Sequence, residues 1–169
     1  NKAINIDRDI ELSPVTEKDI EAFEIGKSMG VENYSLSFTN SAEDVRIVRD
    51  IIGKSNLISK IESIKGVLNL AEILPLVDQI LIDRGDLSRE VEIEKIPFIQ
   101  RRIIAHAKSK NTPVYVATNL LESMIHYHVP TRAEVNDIAS TLLMGADGLV
   151  LAAETAIGKY PVQTVEMVN

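Results

Sequence analysis

The chain predicts an α/β fold of parallel strands alternating with helices, arranged as a (β/α)8 barrel rather than as an open doubly wound sheet. Three observations carry that prediction. Short continuous apolar runs and helical segments alternate strictly, with five strands in all. Polar groups close several of those runs, namely Ser37, Glu62, Asp86, Thr118 and Glu154. In a barrel such strand ends converge on one mouth, whereas the outer strands of an open sheet stand too far apart to share a site. Periodicity alone does not separate the two architectures, but neither a Gly-x-Gly-x-x-Gly dinucleotide loop nor a Walker-type phosphate loop occurs, which weakens the nucleotide-binding open sheet.

Each element has a local reason. Thr16 followed by Asp19 starts a helix that Gly30 ends, and Ser41 followed by Asp44 starts another that Gly53 ends. The runs 34–38, 57–61, 79–82, 113–117 and 149–152 are short, continuous and flanked by helices, as parallel strands are. A long helix over 94–110 carries Ile96, Ile99, Ile103, Ile104 and Ala107 at helical spacing, with Arg101, Arg102 and Lys108 elsewhere on its surface, so its role is to cover the sheet. Thr131 with Glu134 forms a third capping box, opening a helix through Ile138, Leu142 and Leu143 to a stop at Gly145.

With 169 residues and 45% hydrophobic content, the chain reads as one domain, 1–169, with a sizeable core. A net charge of −7 without a basic cluster argues against a nucleic-acid surface, which gathers Lys and Arg on one face. There is no cysteine, which excludes disulfides, thiolate metal sites and a cysteine nucleophile, so a metal here takes oxygen or histidine ligands. No apolar stretch approaches the roughly 20 residues of a membrane span, and the polar start Asn1-Lys2-Ala3-Ile4-Asn5 does not read as a signal peptide. The expectation is a cytoplasmic protein.

Two segments carry the chemistry. In Ser59-Lys60-Ile61-Glu62 the side chains of an extended strand alternate, so Lys60 and Glu62 share one face. A salt bridge on an edge strand would explain them, but Leu57-Ile58, following a helix that ends at Gly53, reads as a strand buried between helices, where a charged pair needs a function. Asp83-Arg84-Gly85-Asp86 closes the next strand, and the two segments together supply a cation and two carboxylates. A cation and carboxylates so placed suit a divalent metal holding an anionic substrate. His106 lies inside the long helix and reads as a packed or solvent-facing residue. His126 and His128 flank Tyr127 in a loop, where they read as loop residues rather than metal ligands.

These residues, taken together, resemble the catalytic barrel domain of the pyruvate kinase family. The matching segments are Ser13-Pro14-Val15-Thr16-Glu17-Lys18-Asp19-Ile20, Ile58-Ser59-Lys60-Ile61-Glu62, Arg84-Gly85-Asp86-Leu87 and Ala117-Thr118 with Leu121-Glu122-Ser123-Met124-Ile125. Pro130-Thr131-Arg132-Ala133-Glu134, Gly145-Ala146-Asp147 and Glu154-Thr155-Ala156 with Gly158 and Tyr160-Pro161 follow in family order. The likeness covers about strands four to eight of the family's barrel. Its first three strands, its lid domain and its C-terminal domain have no counterpart, and residues 1–12 look like the return from the lid.

The resemblance implies that Glu62 and Asp86 ligate Mg²⁺ or Mn²⁺ and that Lys60 stabilises charge on the phosphoryl group. Gly85 and Asp86 N–H groups with the Thr118 hydroxyl would hold the substrate carboxylate, and Glu154 would belong to a proton relay. It implies phosphoenolpyruvate or a related oxoacid as ligand, with ADP or ATP and K⁺ only where the missing strands and lid are supplied. Arg132 and the loop of His126 and His128 then lie near a subunit contact, and Glu122 supports its loop rather than the metal. Three positions depart from the family pattern: Ala152-Ala153 replaces Ser-Gly, Asp83 replaces a small residue beside the metal loop, and Asn119 replaces Gln. Transfer between phosphoenolpyruvate and ADP in the intact protein is the leading expectation. A non-catalytic binding, assembly or regulatory module, or metal-assisted enolisation or aldol chemistry on an oxoacid, is the alternative. Five strands of eight would leave two unpaired edges, to be covered by a longer polypeptide, a further copy of the chain or a separate module.

Overall fold

The structure, a computed structural model, describes residues 12–169, so all but the last residue of the expected lid return lies outside it. In chain order the elements are α1 (Glu17–Ser28), β1 (Asn33–Leu36), α2 (Ala42–Ile52), β2 (Asn56–Ile61), the short helices α3 (Ile64–Leu68) and α4 (Leu70–Ile73), and β3 (Gln79–Asp83). There follow α5 (Arg84–Leu87), α6 (Ile96–Ser109), β4 (Val114–Ala117), α7 (Arg132–Leu143), β5 (Gly148–Val150), α8 (Ala153–Ala156) and α9 (Pro161–Val168). Thr16, Ser41 and Thr131 cap α1, α2 and α7 through complete capping boxes, with Asp19, Asp44 and Glu134 reaching back to the cap N–H. Each box satisfies two donors that the helix itself leaves open.

Strand order settles the architecture. Among the described residues five strands pair in the order β1-β2-β3-β4-β5, every neighbour parallel. A doubly wound sheet reverses its strand order at a switch point; this sheet keeps one direction throughout, as an arc of a barrel does. β1 and β5 end earlier than the apolar runs suggest, at Leu36 and Val150. At β1 the reason is a turn: Phe38 takes a left-handed φ of 48° and gives its N–H to Glu62 instead of to the ladder.

Register separates two faces. Leu57 and Ile61 of β2, Ile80 and Ile82 of β3, and Val114 and Val116 of β4 are fully buried beneath Val45 and Val48 of α2, Ile73 of α4, and Ile103, Ile104 and Ala107 of α6. Burial of each such side chain contributes about 1.5–3 kcal/mol. The opposite face is only partly covered: Lys60 pairs with Leu81, Leu81 with Tyr115, and Tyr115 with Gly148. Leu120, Leu121, Met124 and Ile138 form a second cluster against Leu149, Leu151 and Val168. On α7 the apolar run does not all turn inward, since Leu142 and Leu143 are exposed while Thr141 is buried and accepts a hydrogen bond from Gln100 at 2.9 Å. Among the described residues no helix is long and apolar enough to cross a membrane.

Candidate functional site

The alternation of β2 brings Lys60 and Glu62 to one face, and the C-terminal end of β3 adds Asp83 beside them. The Lys60 ammonium forms an ion pair with Glu62 Oε1 and lies 3.4 Å from Asp83 Oδ2. Partial burial is the largest single influence on Lys60 and works against its charge, but the Glu62 and Asp83 carboxylates outweigh it and hold its pKa above the ordinary lysine value. Lys60 therefore remains a cation throughout the neutral range.

Glu62 is buried, with its two oxygens in different situations. Oε2 accepts the Phe38 N–H at 2.5 Å. Oε1 meets the Lys60 ammonium but receives no hydrogen bond of ordinary geometry. One carboxylate oxygen from each of Glu62, Asp83 and Asp86 lies within 4.8 Å of the others. Such a set of hard oxygen donors fits Mg²⁺ or Mn²⁺, with the Lys60 ammonium already occupying the cation position beside Glu62 Oε1. Asp86, from the first turn of α5, is half-buried and has Arg89 at 3.4 Å.

Thr118 enters the same cluster from the end of β4. Its Oγ1 accepts the Gly85 N–H at 2.8 Å, and its single proton faces Ala117 O at 2.6 Å and Asp83 Oδ1 at 3.2 Å. Gly85 N–H also reaches Asp83 Oδ1 at 3.2 Å. A Cβ on Gly85 would stand 3.3 Å from Thr118 Oγ1, a tight contact that glycine avoids where the two loops meet. Thr118 and Asn119 take consecutive left-handed backbone conformations, φ 69° and 53°. Arg84 holds that turn: Nε and Nη2 donate to Thr118 O at 3.1 and 2.7 Å, Nη2 to Asn119 O at 3.0 Å, and Nη1 to Asp137 at 2.6 Å.

Other sequence candidates lie apart. Glu154 is buried at the start of α8 and accepts Leu121 N–H at 3.3 Å and Ala152 N–H at 3.0 Å, so its carboxylate ties the turn after β4 to the end of β5. A Cβ on Gly158 would fall 2.0 Å from Glu154 O, which makes glycine necessary there. Ser37 is exposed in the turn after β1. Glu122 is exposed and accepts from Asn119 at 2.8 Å within its own loop. Arg132 is exposed in the first turn of α7, and His106 is half-buried near the end of α6. His126 and His128 are exposed, and His128 stands edge-on to Tyr160 at 5.3 Å. The residues that sequence reasoning undervalued are Asp83, seen there only as an added charge, and Arg84 and Phe38. Asp83 had a signal: it lies two residues beyond Leu81, on the face that Leu81 shares with Lys60.

Comparison with known proteins bears on the whole chain. The family model "Pyruvate kinase, barrel domain" matches residues 1–165. The pyruvate kinase of Thermotoga maritima is 42% identical over 165 residues, covering 95% of this chain and 35% of that relative. Those of Agrobacterium vitis and Dictyostelium discoideum are 40% and 41% identical, over 95% and 94% of this chain and 33% and 32% of their own lengths. The chain thus spans about a third of the length of these relatives. With a barrel-type strand order and a family match over nearly all its residues, the chain belongs to the pyruvate kinase family and represents part of its barrel domain.

Proposed function

We propose that this chain supplies the metal and enolpyruvate half of a site that transfers a phosphoryl group between phosphoenolpyruvate and ADP in the intact protein. The observation that carries the proposal is the Lys60 ammonium set among carboxylates at the C-terminal ends of neighbouring parallel strands. Glu62 and Asp86 are the proposed ligands of Mg²⁺ or Mn²⁺, for which their oxygens and spacing are suited. The bound cation would supply Lewis-acid polarisation of substrate oxygens.

Lys60 is the principal catalytic candidate. Held protonated and partly screened from water, its charge is positioned before the substrate arrives and can neutralise the phosphoryl group as charge shifts during transfer. Thr118 Oγ1 and Gly85 N–H are assigned to the substrate carboxylate, with Gly85 allowing close approach. Glu154 enters as a positioning residue for the turn beyond Thr118, because both its oxygens already accept backbone N–H groups. Contacts to ADP phosphates and to K⁺ are assigned to the strands and lid outside this chain, and no step is derived through them.

A graft tests the proposal. Residues 13–165 placed in the Thermotoga maritima relative, in exchange for its matching segment, should give a folded protein that forms pyruvate from phosphoenolpyruvate only when ADP is present. In that protein Lys60→Ala should lower the rate by about 10²–10³, the usual cost of losing a preorganised charge. A folded graft without turnover, or one indifferent to Lys60→Ala, would contradict the assignment.

A further inference from the structure

Asp83 is the one carboxylate of the cluster that the proposed reaction leaves without a task. Its side chain is 12% exposed, and both its oxygens are engaged. Oδ1 accepts the Gly85 N–H at 3.2 Å and lies 3.2 Å from Thr118 Oγ1, while Oδ2 lies 3.4 Å from the Lys60 ammonium. Gly85 N–H, the Thr118 hydroxyl and Lys60 are also the groups that the proposed function assigns to the anionic substrate. A carboxylate of the chain therefore stands among the donors meant for a carboxylate from solution.

An incoming anion has two ways to reach those donors. It can displace Asp83 from Gly85 and Thr118, giving up two existing contacts, or it can settle beside Asp83 as a second negative charge in a partly buried space. Both weaken binding, the first through lost hydrogen bonds and the second through like-charge repulsion at short range. Lys60 cannot offset this freely, since Glu62 already neutralises it from the other side. Placing a charge against an otherwise favoured ligand is a recognised way of setting specificity.

We propose that Asp83 is an internal competitor for the substrate-carboxylate position, a specificity-determining residue that lowers this chain's affinity for small oxoacid anions until its side chain swings out of the cradle. The inference rests on the proposed anion position, and its test separates the two.

Oxalate, a planar dianion resembling enolpyruvate, is titrated calorimetrically into the Mn²⁺-saturated protein as the parent, Asp83→Ala and Asp83→Asn. Alanine removes charge and acceptor together; asparagine keeps an acceptor for the Gly85 N–H and removes only the charge. Asp83→Ala should bind oxalate on the order of tenfold or more tightly than the parent, with Asp83→Asn between them. If the parent binds oxalate and the folded Asp83→Ala binds it equally or less tightly, the competitor role is overturned while the anion position stands. If neither binds oxalate although Mn²⁺ is bound, the anion position and the competitor fall together. Should Asp83→Ala fail to fold, Asp83→Asn decides: tighter oxalate binding supports the role, and equal or weaker binding overturns it.

Discussion

Thr118 and Asn119 place two side-chain-bearing residues in succession in the left-handed region, at φ 69° and 53°. For a β-branched residue such as threonine that conformation is a real outlier, costing about 1–3 kcal/mol. The turn persists because the buried Arg84 donates three hydrogen bonds to its two carbonyls and is itself held by Asp137. Arg84→Met should therefore destabilise the fold by on the order of 2–6 kcal/mol, about 1–3 for each of the two carbonyls left without a donor, and should loosen Thr118 beside Gly85. Urea denaturation checks the first expectation; an unchanged midpoint would mean that the turn is held by other contacts. None of this could be read from the sequence, because a contact across 34 residues leaves no local pattern. Lys60 and Glu62 were legible, since a two-residue period on a strand puts them on one face wherever the strand lies.

Helix starts were legible for the same local reason. Each capping box is an i,i+3 relation, and all three foreseen by spacing are present, at Thr16, Ser41 and Thr131. The four-residue helices α4, α5 and α8 are too short for a 3.6-residue apolar period to show, and their positions follow from packing instead. What the third box could not announce is its second partner. Glu134 accepts Thr131 N–H and Oγ1 at 2.7 and 2.8 Å and also Ser123 N–H and Oγ at 2.8 and 2.6 Å, so one carboxylate joins the start of α7 to the 3-10 turn Glu122–Ile125. Burial pushes its pKa up, but the Ser123 and Thr131 bonds outweigh burial and hold it below the ordinary glutamate value of 4.5. A depressed carboxylate stabilises the fold above its unfolded pKa and loses that contribution as pH falls through the folded value. Part of the acid destabilisation below pH 4.5 should accordingly vanish in Glu134→Gln, which should also melt lower than the parent at pH 7. Thermal melts across an acid series check this; an identical pH dependence in parent and variant would remove Glu134 from the account of acid stability.

Helix and strand alternation is shared by open sheets and barrels, and the uniform progression from β1 to β5 is what separates them here. The strand ends were a weaker guide than expected: Lys60, Glu62, Asp83, Asp86 and Thr118 meet at the ends of β2, β3 and β4, which are direct neighbours, while Ser37 at the end of β1 stays apart. Glu154, at the next strand end, instead bonds the backbone. The charged cluster sits on the sheet face that the helices leave uncovered, while the opposite face carries the core. Large apolar side chains at the β5 side, Leu143, Ile157 and Val162, are exposed. Folding and site assembly are thus largely separate: removing a site carboxylate should cost little of the core. The most direct measurement is a calorimetric titration of Mn²⁺, with and without oxalate, into the parent and Glu62→Gln, with circular dichroism confirming both are folded. The parent should bind Mn²⁺, more tightly with oxalate present, and Glu62→Gln should bind it at least about 10–100-fold more weakly, since even an outer partner of a metal ligand is worth that much. Glu62→Gln binding Mn²⁺ as the parent does would contradict the metal assignment.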